Sequence, residues 1–256
     1  MDWNLTDGRK LLIGMIHCLP LPGTYGATAS IDEVIERAVS DAKTLERVGF
    51  DAVMVENEDL CLEPHMTKVQ FAAISMVAQA VRSGKALYIG ISRYTPEQTE
   101  VAIRTLRELG TPMLIHQENY SMLNRKIEHG LTDVLTREGV WLIAFGPLAG
   151  GRLTGKYQSG IPADSRIGHD PRYLKAEMLT PGLHAAIDAL AKIADARGET
   201  LSQLALQWAL RDKAVTSALI GASRAEQITE NVAALSLPPL TGEELAQIDA
   251  ALALNE

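Results

Sequence analysis

The sequence has few of the features that mark secreted, membrane-spanning or nucleic-acid-binding proteins. It contains only two cysteines, Cys18 and Cys61, too few for a disulfide framework. No apolar run approaches the roughly 20 residues that a membrane-spanning helix needs, and residues 1–10 lack the apolar core of a signal peptide. The net charge is −8 and the lysines and arginines are scattered, which argues against a polyanionic partner. These absences predict a cytoplasmic protein that binds neither nucleic acid nor membrane.

What the chain does contain is a regular alternation of apolar runs and amphipathic segments. Its 256 residues, 46% of them hydrophobic, are enough for one large α/β domain or two small ones. Alternation of strand and helix predicts a parallel sheet with crossover helices. A TIM-barrel-like (β/α) barrel fits the length, since about 250 residues is typical of that fold. Only six strands can be identified instead of eight: residues 10–18, 50–57, 85–92, 113–120, 140–146 and 215–221.

Several helix starts carry specific capping signals. The pattern of a Ser or Thr followed three residues later by Glu or Gln predicts capping boxes at Ser30, Thr95, Thr200 and Ser223. A further helix is predicted around residues 124–137. The connection over residues 147–180 is long and rich in Gly, Arg and Pro, and loops of this length are usually functional or disordered.

The clearest candidate binding segment is LIGASRAEQITEN, residues 219–231, which follows the last strand. Ser223, Gln227 and Asn231 are spaced at i, i+4 and i+8 and would share one helix face. Free backbone N–H groups in the first turn and the guanidinium of Arg224 suit a phosphate. The same residues also describe an ordinary capped helix, with Ser223 as N-cap and Glu226 at N3. Residue types alone favour this second interpretation.

Five motifs in order resemble the second half of an aldo/keto reductase, in the subfamily of the potassium channel β subunits and the bacterial glyceraldehyde-3-phosphate reductases. They are SGKALYIGISRY from residue 83, LIHQENYSMLNR from 114, AFGPLAGGRLTGKY from 144, SGIPADSR from 159 and the segment 219–231. The resemblance covers residues 81–256, and it implies a NADP(H)-binding barrel that reduces small carbonyl compounds.

Site residues follow from this resemblance. Ser92 and Gln117 would bond the nicotinamide carboxamide, Phe145 would stack on the nicotinamide ring, and Arg224 is placed for a 2′-phosphate. Small residues after Phe145 would let the backbone approach the pyrophosphate. The implied cofactor-binding residues are Ser92, Gln117, Phe145, Gly146, Pro147, Leu148, Ala149, Gly150, Lys156, Arg166, Gly221, Ser223, Arg224, Gln227, Glu230 and Asn231.

Residues 1–80 resemble another family. IGMIHCLPLPGT from residue 13 and GFDAVMVENE from residue 49 are similar to the start of the BtpA family, also thought to form β/α barrels. The whole chain is therefore expected to be one barrel-like domain of recombined or engineered origin. An alternative is a non-catalytic barrel scaffold, and another is a BtpA-like assembly protein. Because an open sheet edge invites partners, a homo-oligomer is also expected.

Catalysis has weaker support than cofactor binding. The family's catalytic tyrosine, lysine, aspartate and histidine lie in its first half, and no motif before residue 81 matches them. His17 and Glu56, at the ends of the first two strands, are the substitute candidates, with the histidine as acid and the carboxylate orienting it. Both residues are more often structural. Their sequence separation gives no metal-ligand signature, so no metal site is predicted.

Overall fold

The structure is a computed structural model that falls into two compact units, Met1–Ala73 and Ile74–Glu256. Each unit builds a parallel sheet from its own strands. The single domain expected over residues 1–256 stays a prediction. The residues that the structure describes are 13–17, 28–47, 52–56, 78–79, 81–84, 88–157, 160, 176–222 and 224–255.

The described residues of the first unit form a strand, a helix and a second strand. Strand β1 (Ile13–His17) lies parallel to β2 (Ala52–Glu56), and α1 (Ile31–Arg47) connects them. The helix begins where the sequence predicted. The Ser30 N–H donates to Glu33 Oε2 at 2.7 Å, and the Glu33 N–H donates to Ser30 Oγ at 3.2 Å. This capping box satisfies two N–H groups that the first turn would otherwise leave free.

The second unit holds a four-stranded parallel sheet in which sequence order and spatial order coincide. The six strands of the described residues confirm the predicted α/β class with parallel sheets, although each strand is shorter than the apolar run that predicted it. An irregularity between Leu142 and Ile143 shifts the register of the last strand pair. The strands, in order across the sheet, are β3 (Gly90–Ser92), β4 (Ile115–Asn119), β5 (Trp141–Phe145) and β6 (Val215–Leu219).

Helices follow the strands of this sheet and begin at well-formed caps. Thr95 and Thr200 form the predicted capping boxes with Gln98 and Gln203. A glycine splits the helix predicted around residues 124–137, because Gly130 adopts a φ of +97° after a short 3₁₀ turn. The helices are α2 (Pro96–Glu108), α3 (Leu131–Glu138), α4 (Pro181–Arg197), α5 (Leu201–Leu210), α6 (Ala225–Ala233) and α7 (Gly242–Leu252). None of the helices in the described part of the chain has the length and apolar character needed to cross a membrane.

The core of the second unit lies between the sheet and its helices. Leu142 and Ala144 on β5 are fully buried and belong to one apolar cluster with Leu106 of α2, Leu135 of α3 and Leu204 of α5. Burying an aliphatic side chain of this size contributes about 1.5–3 kcal/mol before the entropic cost of ordering it. Helix packing therefore holds β3, β4 and β5 in a fixed arrangement.

A polar cluster pins the end of β4 to α5. The Glu128 cluster comprises Tyr120, Arg125, Glu128, Trp208 and Arg211. Glu128 Oε1 accepts from the Tyr120 hydroxyl at 2.7 Å and from Arg211 Nη2 at 3.1 Å, while Oε2 accepts from Arg125 Nε at 2.8 Å. The Arg211 guanidinium carbon lies 3.7 Å from the centre of the Trp208 ring, which adds a cation–π contact.

Close approach of β3 and β4 gives a stability prediction. A Cβ on Gly90 would lie 2.8 Å from the Ile115 carbonyl oxygen and would also clash with the Ile115 side chain. Gly90→Ala is expected to lower the free energy of unfolding by about 1–3 kcal/mol, because the strands must separate to admit the methyl group. Urea unfolding measures this change in the free energy of unfolding. The control is Gly242→Ala, where nothing lies within 4 Å of the new methyl group. Equal effects of the two substitutions would contradict the predicted clash.

Candidate functional site

The candidate site lies at the carboxyl ends of the strands of the four-stranded sheet. Ser92 on β3, Gln117 on β4 and Ile143 on β5 occupy one register row. Residues paired in this way in a parallel sheet project to the same face. Ser92 is exposed and Gln117 is half-buried. The backbone therefore brings the Ser92 hydroxyl and the Gln117 amide to one face of the sheet. These are the two groups that the sequence analysis expected to bond the nicotinamide carboxamide.

Strand β3 ends abruptly just beyond Ser92. The Arg93 N–H still donates to the Gln117 carbonyl at 3.1 Å, but Arg93 itself adopts a φ of +62°. Positive φ is uncommon for a residue other than glycine, and such residues cluster at functional sites. The turn leaves Ser92 at the edge of the sheet, where a ligand can reach it.

Phe145 ends β5 and pairs with Asn119 of β4 and Leu219 of β6. Its side chain is half-buried, so part of the ring remains accessible. The next residue, Gly146, has a φ of +65°, and a Cβ there would lie 2.8 Å from Asn119 Nδ2. Asn124 Nδ2 in turn donates to Asn119 Oδ1 at 2.6 Å, which holds the asparagine against the glycine. Only glycine fits this turn without strain.

The loop after Gly146 is tightly folded. Ala149 has a φ of +51°, and the glycines at 150, 151 and 155 are also left-handed. Leu153 and Tyr157 are buried and anchor the loop, and the Thr154 hydroxyl donates to the Gly151 carbonyl at 2.7 Å. Turns of this kind can present N–H groups to an anion, although the N–H groups of Ala149, Gly151 and Leu153 donate to carbonyls within the loop. The loop thus has the character expected of a phosphate-binding segment.

The remaining predicted residues of this loop fall into three groups. Pro147 is buried and Leu148 packs against the core, whereas Gly150 is exposed. Lys156 is exposed on the loop surface. Arg166 lies outside the described residues.

Helix α6, after β6, begins one residue later than the sequence predicted. Arg224 is the N-cap, and its N–H donates to Gln227 Oε1 at 3.2 Å. The predicted capping box of Ser223 with Glu226 is therefore wrong: Gln227, not Glu226, occupies the N3 position and its amide oxygen reaches back to the cap. Ser223 itself lies outside the described residues.

The polar face expected on this helix is only partly present. Gln227 is half-buried and Asn231 is buried, and the two lie one turn apart. Gln203 Nε2 of α5 donates to the Glu230 carbonyl at 3.0 Å and fixes the helix end. Gly221 and Arg224 are exposed, and nothing lies within 4 Å of a Cβ on Gly221.

His116 precedes Gln117 and is fully buried. Burial lowers the pKa of the imidazole to about 4, and a contact with the Tyr94 backbone opposes part of that shift. Neither ring nitrogen has a partner of full hydrogen-bond geometry in the described part of the chain. Its neighbour Tyr94 is half-buried, and burial raises the pKa of that phenol. Both groups are therefore neutral near pH 7, and His116 lies in the interior of the protein behind the candidate site.

In the first unit, His17 and Glu56 end β1 and β2 and are partners in the register of the two strands. Their backbones thus lie side by side at the carboxyl ends, as the sequence predicted, while their side chains lie outside the described part of the structure. Among the residues that are described, no three of His, Cys, Asp and Glu are grouped closely enough to hold a metal ion.

Sequence reasoning missed one charged residue of the loop. Arg152 is half-buried, and its Nε donates to the Ala149 carbonyl at 2.9 Å. The signal available was the cation-rich composition of residues 146–157, which include no Asp or Glu. The resemblance does not assign this position a role, so the arginine was passed over.

Comparison with known proteins agrees with this arrangement. The model of the aldo/keto reductase family matches residues 18–253. The chain is 45% identical over 239 residues to L-glyceraldehyde 3-phosphate reductase of Escherichia coli K12, covering 92% of this chain and 67% of that protein. It is 33% identical over 238 residues to a putative voltage-gated potassium channel subunit beta of Schizosaccharomyces pombe, covering 90% and 66%. Glycerol dehydrogenase of Gluconobacter oxydans superposes with a TM-score of 0.60 at 25% identity, covering 86% and 64%.

The fold is thus that of an α/β protein with a parallel sheet. The chain belongs to the aldo/keto reductase family. It spans about two thirds of the length of the curated relatives it matches.

The family match corrects one boundary drawn from the sequence. The resemblance was expected to begin at residue 81, but the match begins at residue 18 and takes in α1 and β2. An α/β segment of this type suits the family's fold as well as it suits the BtpA family, which explains the misassignment. The comparisons give no support to a BtpA-like segment joined to an aldo/keto reductase half.

Proposed function

We propose that this chain is a NADP(H)-binding, aldo/keto reductase-like oxidoreductase that holds its cofactor along the carboxyl edge of the β3–β6 sheet. The observation that carries the proposal is the register row of Ser92 and Gln117 beside the left-handed turn at Gly146. A hydroxyl and an amide on adjacent strands can exchange hydrogen bonds with a carboxamide group. A turn that only glycine fits lets a phosphate approach the backbone closely.

The chain's own residues fit the cofactor at three points. Ser92 and Gln117 would orient the nicotinamide, and the accessible part of Phe145 would cover one face of its ring. Backbone groups of residues 146–150, with Lys156 and Arg166, would lie along the pyrophosphate. Bound NADPH supplies the hydride for carbonyl reduction. The adenosine-phosphate end would meet Gly221, Ser223, Arg224, Gln227, Glu230 and Asn231.

Preference for NADP(H) over NAD(H) would come from Arg224. Its guanidinium is exposed at the N-terminus of α6, where backbone N–H groups also favour an anion. A guanidinium can form an ion pair and two parallel hydrogen bonds with a phosphate ester, whereas an unphosphorylated ribose offers it only neutral hydroxyl groups.

Carbonyl reduction is the second part of the proposed function. A proton must reach the carbonyl oxygen as hydride adds to the carbon, and the family's usual donor has no counterpart before residue 81 by sequence. His17 is the substitute candidate, with Glu56 as its register partner. An imidazole can donate near neutral pH. The substrate class is a small aldehyde, for which glyceraldehyde 3-phosphate is a suitable test because of the named relative.

A binding experiment tests the cofactor assignment. Titration of the full chain with NADPH, followed by nicotinamide fluorescence, is expected to show saturable binding. Gln117→Leu should weaken that binding about tenfold, the value of one lost amide hydrogen bond pair at roughly 1.4 kcal/mol. The control is Gln247→Leu, since Gln247 is exposed on α7. Equal affinity of the two variants would remove Gln117 from the site.

A turnover assay separates binding from catalysis. NADPH oxidation in the presence of 4-nitrobenzaldehyde, abolished in His17→Ala but retained in the control His129→Ala, would establish His17 as the acid. Absence of turnover in the parent chain would leave a cofactor-binding protein. Absence of NADPH binding as well would favour the non-catalytic scaffold or the BtpA-like assembly protein.

The proposed function also includes self-association and a cellular location. Strands β3 and β6 are the edges of the four-stranded sheet in the described part of the chain. Unpaired backbone groups at such edges favour association with another chain, so a homo-oligomer is proposed, to be checked by light scattering. A cytoplasmic location, without nucleic-acid or membrane partners, is proposed on the charge and composition given above.

A further inference from the structure

Arg152 lies in the 3₁₀ segment Ala149–Thr154, directly beyond the carboxyl end of β5. Its Nε donates to the Ala149 carbonyl at 2.9 Å. Burial lowers the pKa of the guanidinium from its ordinary value, with no opposing contribution from a carboxylate. Among the described residues, the side chain is thus a partly buried cation whose one hydrogen-bond partner is a neutral carbonyl.

Two other partly or largely buried arginines of the described residues have carboxylate partners. Arg197, whose side chain is only 10% exposed, pairs with Glu199 and Glu244. Arg211, 23% exposed, pairs with Glu128. A buried cation without a counter-charge is costly, which is why such groups are normally paired. Within the described residues Arg152 has no carboxylate partner, so it departs from the pattern of the rest of the chain.

The surrounding loop offers no counter-charge from its own sequence. Residues 146–157 include Arg152 and Lys156 but no Asp or Glu. The loop is also held rigid by buried Leu153 and by the hydrogen bond from the Thr154 hydroxyl to the Gly151 carbonyl. A rigid, cationic loop with left-handed turns is organised before an anion arrives, which reduces the entropic cost of binding one.

We propose that Arg152 is an anion-binding residue whose partner is a phosphate group of the ligand. The Nε–H donates to Ala149, and no residue that the structure describes is bonded to the four N–H groups on Nη1 and Nη2. These groups suit the planar, bidentate contact that a phosphate accepts. The phosphate belongs either to the dinucleotide or to a phosphorylated aldehyde. This inference rests on the proposed function, and it adds a side chain that the family resemblance does not assign.

The test compares three variants of the full chain by calorimetric titration with inorganic pyrophosphate, which carries the shared chemistry. Arg152→Leu is expected to weaken pyrophosphate binding at least about tenfold, and Arg152→Lys to lie between it and the parent, because a lysine keeps the charge and loses the fork. The control Arg104→Leu removes the same charge from an exposed position on α2. It should stay within about twofold of the parent, as a distant, screened charge does.

Two further titrations identify the source of the phosphate. If NADPH affinity falls in Arg152→Leu in parallel with pyrophosphate affinity, the partner is the dinucleotide. If NADPH affinity is unchanged and glyceraldehyde 3-phosphate affinity falls, the partner is the substrate. If the parent binds no NADPH but its pyrophosphate binding depends on Arg152, the proposed function fails and the anion site stands.

Thermal unfolding without ligand distinguishes an anion site from a structural cap. Because Arg152 has no carboxylate partner among the described residues, we expect it to contribute little to the stability of the free protein, so Arg152→Leu should unfold at the parent's temperature or above. A lowered unfolding temperature with unchanged affinity for all three ligands would overturn the inference and make Arg152 a cap of the Ala149 carbonyl. Parent protein that binds none of the three ligands would overturn it equally.

Discussion

Glu128→Ala is expected to lower the free energy of unfolding by about 2–3 kcal/mol, less than the roughly 3–5 kcal/mol for breaking a fully buried ion pair. The expected loss is smaller than for a fully buried pair because the side chains of Glu128 and Arg211 are 22% and 23% exposed. Removing the carboxylate leaves the Arg211 guanidinium stacked on Trp208 without a counter-charge. It also leaves the Tyr120 hydroxyl, which is withdrawn from water, without its acceptor.

The Glu128 carboxylate is held in its charged form. Burial alone would raise its pKa, but hydrogen bonds from Arg125, Tyr120 and Arg211 outweigh burial and lower it. A lowered pKa in the folded state means that the stabilisation is present above the unfolded value and is lost as pH falls through the folded value. Glu128→Ala should therefore cost most at neutral pH and progressively less in acid.

The matched control for Glu128 is Glu100→Ala. Glu100 forms an ion pair with Arg137 in which the side chains are 49% and 55% exposed. Exposed pairs of this kind are worth about 0.2–1 kcal/mol. Urea unfolding at pH 7 measures both variants, and equal losses for the two would contradict a central role for the Glu128 cluster in fixing the end of β4.

The second large effect concerns acid sensitivity and His116. The pKa of this imidazole is about 4 in the folded protein against 6.5 for an ordinary histidine. Because the unfolded chain binds the proton more tightly, stability is complete above pH 6.5 and falls as pH approaches 4. The loss reaches about 3 kcal/mol at pH 4. His116→Leu should abolish this loss of stability in acid, because leucine has no group that takes up a proton.

At pH 7 the same variant tests the unpaired nitrogens. Both nitrogens of His116 lack partners in the described residues, so an apolar side chain of similar size should leave stability unchanged or raise it by about 1 kcal/mol. Unfolding free energies of the parent and variant are compared at pH 7 and pH 4, with exposed His129→Leu as control. A difference between parent and His116→Leu that stays constant with pH would contradict the lowered pKa.

Features set by a few neighbouring residues were predictable from the sequence. The capping boxes at Ser30, Thr95 and Thr200 form as expected, because a cap depends only on residues within one turn. The pattern failed at residue 223, since Gln227 competes with Glu226 for the N3 position. It also missed the break at Gly130, where one left-handed residue separates a 3₁₀ turn from α3.

Features that depend on residues far apart in the chain were not predictable in detail. The sequence gives no sign that Tyr120, Glu128 and Arg211 meet, since 83 residues separate the last two. The burial of His116, and the partial burial of Arg152 away from any carboxylate of the described residues, likewise arise only when the helices pack on the sheet. By contrast, the family resemblance already placed Ser92 and Gln117 at the ends of neighbouring strands, where the structure pairs them.

The central claim is that the carboxyl edge of the β3–β6 sheet binds NADP(H). Calorimetric titration of the full chain with NADPH tests it directly, with NADH as the comparison ligand. The expected result is saturable binding of one NADPH per chain and at least about tenfold weaker binding of NADH, because the charge-assisted contact with Arg224 is lost. Absence of saturable heat with NADPH would contradict the claim.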